Sequence, residues 1–436
     1  MKFYNREKEL DLLKHIENKS SDVAQMSFVV GRRRVGKTSL LMKSAEEYLS
    51  LYFFVSKKNE ALLCSEFIEE IKLKLKVEIY GEFTSFKDIF GYLMQLSKTT
   101  HFTLIMDEFQ NFSWVNSSIF SDMQRIWDQN KAESKINLIL CGSIYSMMSN
   151  IFENSKEPLF GRATNRIHVK EFDVAVLKQI INDNFQGYTN DDLLAFFMIS
   201  GGIPKYVELL VDAGVYNLES ILNEVFSENS LFIEEGKNVL IDEFGKDYGN
   251  YFSILSLIAN SKTSRAEIES IMKMQTGGFI DRLEKDFEII KKIKPIFSKP
   301  ETRAVKYQIK DNFLNFWFRF IYKYRSAIEI GNLKYVKEIV ERDYFMYSGN
   351  ILEKYFINKL SREDNYSTIG NYWEKSNMNE IDIIAVNELN KQILICDIKR
   401  SKEKINLTEL EKKSAKVISG FIGYNIEYIG LSLDDM

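Results

Sequence analysis

One octapeptide constrains this chain more than any other stretch: Gly31-Arg32-Arg33-Arg34-Val35-Gly36-Lys37-Thr38. It fits the spacing G-x-x-x-x-G-K-[ST], with an apolar run at 26–30 before it and a helix-like run at 39–48 after it. A strand, this loop and a helix in that order are what a phosphate-binding loop requires. Gly31 and Gly36 carry no Cβ, so the backbone can wrap closely around anionic oxygens. The loop N–H groups and the positive end of the following helix then face the phosphates. The predicted binding stretch is Gly31, Arg32, Arg33, Arg34, Val35, Gly36, Lys37, Thr38 and Ser39. Lys37 would reach the β- and γ-phosphates, and the Thr38 hydroxyl would ligate Mg²⁺.

The second signal is Phe102-Thr103-Leu104-Ile105-Met106-Asp107-Glu108. A mostly apolar run ending in two carboxylates predicts a central parallel strand, and open α/β sheets bind ligands at the carboxyl ends of their strands. Asp107 would join the Mg²⁺ shell, and Glu108 is placed to polarise the attacking water. A further strand at 136–141 ends in Gly142-Ser143. Ser143 either senses the γ-phosphate or caps the helix after it, and the two roles are compatible. Arg162, in the loop before a short strand at 167–169, is either a finger for transition-state charge or one half of a surface ion pair. The predicted catalytic set is therefore Glu108, Lys37, Ser143 and Arg162, and an Arg162 acting in trans requires a homo-oligomer.

Composition narrows the partners. The 436 residues suffice for roughly three domains, and 45% hydrophobic with 28% charged residues suits globular cores. The formal charge of −4 gives no global basic footprint, so any nucleic-acid contact must come from a local patch. Cys64, Cys141 and Cys396 are scattered, which points to a reducing compartment and no zinc site. No apolar signal core opens the chain and no stretch is long enough for a bilayer, so the expectation is a cytoplasmic protein without membrane contact.

From 251 to 324 the pattern is helix (251–259), capped helix (263–268), helix (276–285), then strands at 291–295 and 305–309 around a turn. That is the layout of a winged helix, whose third helix can enter a major groove. Arg282, Lys285, Lys291, Lys292 and Lys294 would meet the phosphates of double-stranded DNA, though Glu284, Asp286 and Glu288 dilute the charge and such modules also bind proteins. The aromatic run at 311–320 reads as core rather than as a base-stacking platform. Farther on, a helix opens at 350–356 and strands are expected at 371–375, 379–386 and 392–399. If the last two pair, Asp382 and Asp397 converge on one divalent ion. Lys399, two residues after Asp397, shares its face. It would orient or deprotonate a water there, with Glu353 completing the shell.

These residues carry two resemblances. Residues 1–235 resemble the prokaryotic AAA-type ATPases of the archaeal-ATPase family, within the STAND-like P-loop group. The likeness rests on residues 3–10, the octapeptide, Met106-Asp107-Glu108-Phe109-Gln110, residues 158–162 and Gly201-Gly202-Ile203-Pro204. It implies ATP and Mg²⁺ at the positions named and a helical lid after the core. The same family carries a stretch similar to 311–320. Residues 345–436 resemble the PD-(D/E)xK nuclease fold, the C-terminal domain typical of that family. Here Asp397 stands where Glu is more usual, and no proline precedes the first carboxylate.

The expected architecture is α/β: a P-loop parallel-sheet ATPase core (1–175), a helical lid (176–246), a winged-helix domain (247–325) and an α/β nuclease-like domain (326–436) with a second divalent metal at Glu353, Asp382, Asp397 and Lys399. The expected function is Mg-dependent ATP hydrolysis whose nucleotide state controls the DNA-interacting winged helix and the nuclease-like domain. The alternative is an ATP-gated DNA- or protein-binding switch without cleavage.

Overall fold

Five runs of the N-terminal part become five parallel strands: β1 (Gln25–Val30), β2 (Ser50–Phe54), β3 (Phe102–Asp107), β4 (Ile136–Cys141) and β5 (Asn165–His168). They lie in the order β2-β3-β4-β1-β5. β1, β3 and β4 are buried at every residue, as a parallel sheet covered on both faces demands. The strand period divides their side chains between two cores. Phe28, Leu104, Met106, Leu138 and Leu140 pack on one face, and Val29, Ile105 and Ile139 on the other. The carboxyl ends of β1, β3 and β4 are neighbours, so the loops that follow them share one edge.

The computed structural model describes residues 1–374 and 378–436, and the chain forms two units, one of residues 5–170 and one of residues 1–4 with 171–436. Element ends shift slightly from the sequence expectation because local caps decide them. The helix Glu60–Leu75 starts where the Asn59 side chain accepts the Ala61 N–H and ends where Lys76 turns left-handed.

The second unit is built on a large hydrophobic core that includes residues from Phe172 to Met436 and a smaller one that includes Ile296, Ile384, Ile395 and Leu410. Its helices are capped from their own sequence, Val174–Asn184 by Asp173 and Asn190–Ser200 by the Thr189/Asp192 capping box. Gly202, at φ +79°, lies against Phe172, and a Cβ there would sit 2.1 Å from the Phe172 carbonyl oxygen. Helices Tyr248–Ala259, Arg265–Met272 and Gly277–Lys285 lead into the antiparallel pair β6 (Ile290–Ile293) and β7 (Lys306–Ile309). β6 stops short of the expected 295, where Pro295 has no N–H to donate. The aromatic run forms an α-helix over Asn312–Phe316 and a π-helix over Trp317–Tyr322. Phe313, Phe316, Phe318 and Phe320 are core, and the Trp317 indole N–H donates to the Ile233 carbonyl at 2.7 Å.

The helix expected to open at 350 is longer, running Leu333–Arg362. Beyond it lies a sheet in the order β11-β10-β9-β8, formed by β8 (Thr368–Tyr372), β9 (Ile381–Asn387), β10 (Gln392–Ile398) and β11 (Asn425–Leu431). β8, β9 and β10 are antiparallel neighbours, and β11 pairs parallel to β10 after the helix Leu407–Ile418. The strand expected at 371–375 falls earlier, and Lys375 lies outside the described residues. Among the described residues, no helix is long and apolar enough to cross a membrane.

Candidate active site

The loop after β1 is shaped by three residues with positive φ: Gly31 (+155°), Arg34 (+73°) and Gly36 (+82°). A Cβ on Gly31 would stand 2.4 Å from the Val169 carbonyl oxygen, so only glycine lets the loop pass this close to the chain after β5. Gly36 precedes the helix Lys37–Ala45 and has no side chain to cap it, which leaves the first-turn N–H groups turned toward the loop. Lys37 is only 7% exposed, and its Nζ donates to the carbonyls of Gly31 (2.7 Å) and Arg32 (2.9 Å). The ammonium thus lies against the loop that residues 31–36 form.

Sequence reasoning missed the residue that braces this loop. Arg6 is buried, pairs with Glu9, and donates to the Val35 carbonyl (3.2 Å) and the Lys170 carbonyl (2.6 Å). The sequence signal was the run of residues 3–10, but nothing in it singles out the arginine.

The loops after β3 and β4 bring the other candidates together. Thr38 Oγ1 donates to Asp107 Oδ2 at 2.7 Å, and the Tyr52 hydroxyl donates to the same oxygen at 2.9 Å. Burial and the Asp107 charge push the Tyr52 phenol above its ordinary range, so it stays a donor. Burial, then Asp107, likewise raise the Cys141 thiol, which remains neutral. A hydroxyl and a carboxylate oxygen side by side are hard donors of the kind Mg²⁺ takes, and Mg²⁺ needs few protein ligands because it keeps several waters. The residues present therefore fit the ion. Ser143 Oγ donates to Glu108 Oε2 at 2.7 Å, and Gln110 Nε2 donates to that same oxygen. The helix Tyr145–Glu153 begins after Ile144 and takes no side-chain cap, so Ser143 turns to Glu108 instead. Arg162 donates to the Phe160 carbonyl (2.8 Å) and pairs with Asp128 (3.2 Å).

In the C-terminal sheet, pairing of β9 with β10 brings Asp382, Asp397 and Lys399 together. Lys399 Nζ donates to Asp397 Oδ1 at 2.6 Å and to Asp382 Oδ2 at 3.2 Å. Asp382 Oδ2 also accepts the Ile398 N–H at 2.7 Å. Burial lowers the Lys399 pKa, but the Asp397 hydrogen bond and both carboxylate charges outweigh it and hold the ammonium. Glu353, from the helix Leu333–Arg362, is pushed up to about 8 by burial first and then by the Asp382 and Glu380 charges. The next residue, Lys354, is pushed down to about 7 by burial and then by Lys291. A cavity of about 520 Å³ opens beside them, its lining including Glu353, Lys354, Asp382, Arg319, Lys306 and Trp373. Among the described residues, no group of three or more His, Cys, Asp or Glu is arranged to hold a metal ion.

The basic residues expected to meet DNA are unevenly available. Arg282 pairs with Asp286 (3.7 Å) and lies over the Tyr251 and Phe287 rings, and Lys294 donates to the Pro300 carbonyl. Lys291 is half-buried, which lowers its pKa with help from Lys310. Lys285 and Lys292 are exposed.

Comparison with known proteins bears on both ends of the chain. Residues 3–210 match a family described as an ATPase domain predominantly from Archaea. Residues 317–418 match one described as archaeal and bacterial proteins of unknown function. An uncharacterized protein of Methanocaldococcus jannaschii is 28% identical over 408 residues, which is 91% of this chain and 87% of that protein. The Walker-type ATPase of Pyrococcus abyssi has the same fold at a TM-score of 0.55 and 18% identity, over 73% of this chain and 96% of that one. The ORC2 protein of Aeropyrum pernix, solved in ADPNP–ADP complexes, aligns at a TM-score of 0.49 and 14% identity, over 78% of this chain and 96% of that one. The parallel-sheet unit thus has the fold of a P-loop ATPase.

Proposed function

We propose that this chain is a Mg²⁺-dependent ATPase whose nucleotide state controls a DNA-contacting winged helix and a nuclease-like C-terminal domain. The observation that carries the ATPase reading is the contact between the Thr38 hydroxyl and Asp107, next to Glu108 and the Lys37 loop. Lys37 and the N-terminus of its helix bind the β- and γ-phosphates, and Gly31 lets the loop close on them. Asp107 and Thr38 would hold Mg²⁺, which would supply neutralisation of the phosphate charge. Glu108 orients the attacking water and takes its proton, and Ser143 fixes the carboxylate that does so. In a homo-oligomer, Arg162 would leave Asp128 for the γ-phosphate of a neighbouring copy.

Three helices and the β6–β7 pair support the winged-helix part of the reading, with Lys285 and Lys292 as its open phosphate contacts. The convergence of Asp382, Asp397 and Lys399 supports the nuclease-like part. A second reading keeps the ATPase and drops cleavage, leaving a nucleotide-gated binding switch. The ammonium of Lys399 bonded to both aspartates favours it, because that is where a divalent ion would have to sit.

One experiment addresses both. Glu108→Gln is expected to lower the ATP turnover number by roughly 10²- to 10⁴-fold while the nucleotide still binds. Unimpaired turnover would remove Glu108 from the mechanism. In parallel, Mn²⁺-dependent nicking of labelled DNA by wild type but not by Asp397→Ala selects the first reading. No nicking by either protein, with hydrolysis intact, selects the second.

A further inference from the structure

The turn after β3 contains two amides that do different jobs. Asn111 Nδ2 donates to the Val55 carbonyl at 2.8 Å and ties the turn to the chain after β2. Gln110, one residue earlier and only 1% exposed, makes no such tie. Its Nε2 donates to Glu108 Oε2, and its Oε1 is buried without a hydrogen-bond partner. That oxygen lies over Gly142, where a Cβ would stand 2.2 Å from it. The amide cannot be turned around to relieve the orphan, because its oxygen would then face the Glu108 carboxylate.

Burying an unsatisfied carbonyl costs free energy, and a methylene in its place would not. The polar end of Gln110 therefore gives the fold nothing that an apolar side chain of equal length would not give better. What it does provide is a second donor to one oxygen of Glu108. Ser143 is the first, and both donors meet Oε2. Two donors on one oxygen fix the carboxylate plane and leave Oε1 to the other side of it.

We propose that Gln110 is the positioning residue for Glu108. The inference rests on Glu108 being the residue that polarises the water. In the reaction, the water oxygen bonds to the γ-phosphorus, the bond to the ADP oxygen breaks, and the water proton passes to Glu108 Oε1. Gln110 acts through Glu108 alone. By holding Oε2, it keeps Oε1 aimed.

The test is Gln110→Met, equal in length and without polar atoms, in the full chain. The expected result is a turnover number about 10- to 100-fold lower, with KM for ATP and the affinity for a non-hydrolysable ATP analogue unchanged within about twofold. The melting temperature should stay level or rise, because the orphan carbonyl is gone. Gln110→Glu supplies a second readout. It keeps a polar end but loses the donor to Glu108 Oε2, so it should be slowed at least as much as Gln110→Met with analogue affinity held within about twofold.

Unchanged turnover in Gln110→Met beside an inactive Glu108→Gln overturns the inference alone. A drop in melting temperature together with lost analogue affinity assigns Gln110 a structural role and also overturns it. Full turnover in Glu108→Gln removes the reading beneath it, and the role of Gln110 with it.

Discussion

Lys37 and Lys399 each belong to a site that includes an aspartate, yet they are held in opposite ways. Lys37 donates to the loop carbonyls of Gly31 and Arg32, and Asp107 is served by the hydroxyls of Thr38 and Tyr52. Lys399 donates to Asp397 and Asp382 directly, and the Ile398 N–H occupies the same oxygen of Asp382. A hydroxyl bonded to a carboxylate can rotate and offer its own oxygen to a cation, so Thr38 and Asp107 can become ligands together. An ammonium that already neutralises two carboxylates must be displaced before a divalent ion enters. The same residue types therefore leave the first site's carboxylate facing hydroxyls and close the second with its own cation.

The largest effect should fall on the first site. Lys37→Ala is expected to reduce kcat/KM for ATP by roughly 10²- to 10³-fold, the usual range for removing one preorganised donor from a developing charge. A steady-state assay beside nucleotide titration reads it. A loss under about fivefold would mean that the carbonyl-bound ammonium does not move onto phosphate, and the contrast between the two lysines would fail at its first term.

The second site should answer in the opposite sense. Lys399→Ala removes the closing cation and leaves two partly buried carboxylates facing each other. Mn²⁺ affinity by calorimetry should rise about tenfold over wild type, because like charges held together favour a divalent ion. Without metal, unfolding in urea should show a loss of about 1 kcal/mol, small because Lys399 is 39% exposed and its pairs are screened. If wild type already binds Mn²⁺ as tightly as the variant, the ammonium is no competitor and the second site is as open as the first.

How far these sites were legible follows from how they are built. A phosphate loop needs contiguous residues, so Gly31 to Thr38 announce it and β1 and the following helix confirm the context. Asp382, Asp397 and Lys399 were legible through the strand period, which put Lys399 and Asp397 on one face before the β9–β10 register joined them to Asp382. The groups that brace these residues come from elsewhere in the chain. Arg6 reaches Val35 across 29 positions and Tyr52 reaches Asp107 across 55. No local pattern marks either contact. Gln110 was inside the motif, but its role lies in an orphaned oxygen that only three-dimensional burial exposes. The core that includes residues from Phe172 to Met436 was equally hidden, because local composition divides the lid, hairpin and C-terminal sheet that long-range packing unites.

The last comparison separates the two sites by pH. Glu353 is pushed up to about 8 by burial and the nearby Asp382 and Glu380 charges, against an ordinary value of 4.5. Between those values the folded carboxyl keeps a proton that the unfolded chain releases. Unfolding then loses a proton, so its free energy falls as pH rises. The contribution is complete below about 4.5 and is spent as pH approaches 8. Glu353→Gln keeps the neutral shape at every pH. In chelator-containing buffer, its stability relative to wild type should therefore climb steadily between pH 5 and 8, measured by urea unfolding. A flat difference would mean that Glu353 is already ionised at neutral pH. The carboxylates around Lys399 would then carry one more negative charge than the ammonium can offset, and the second site would be nearer to accepting a metal than its hydrogen bonds imply.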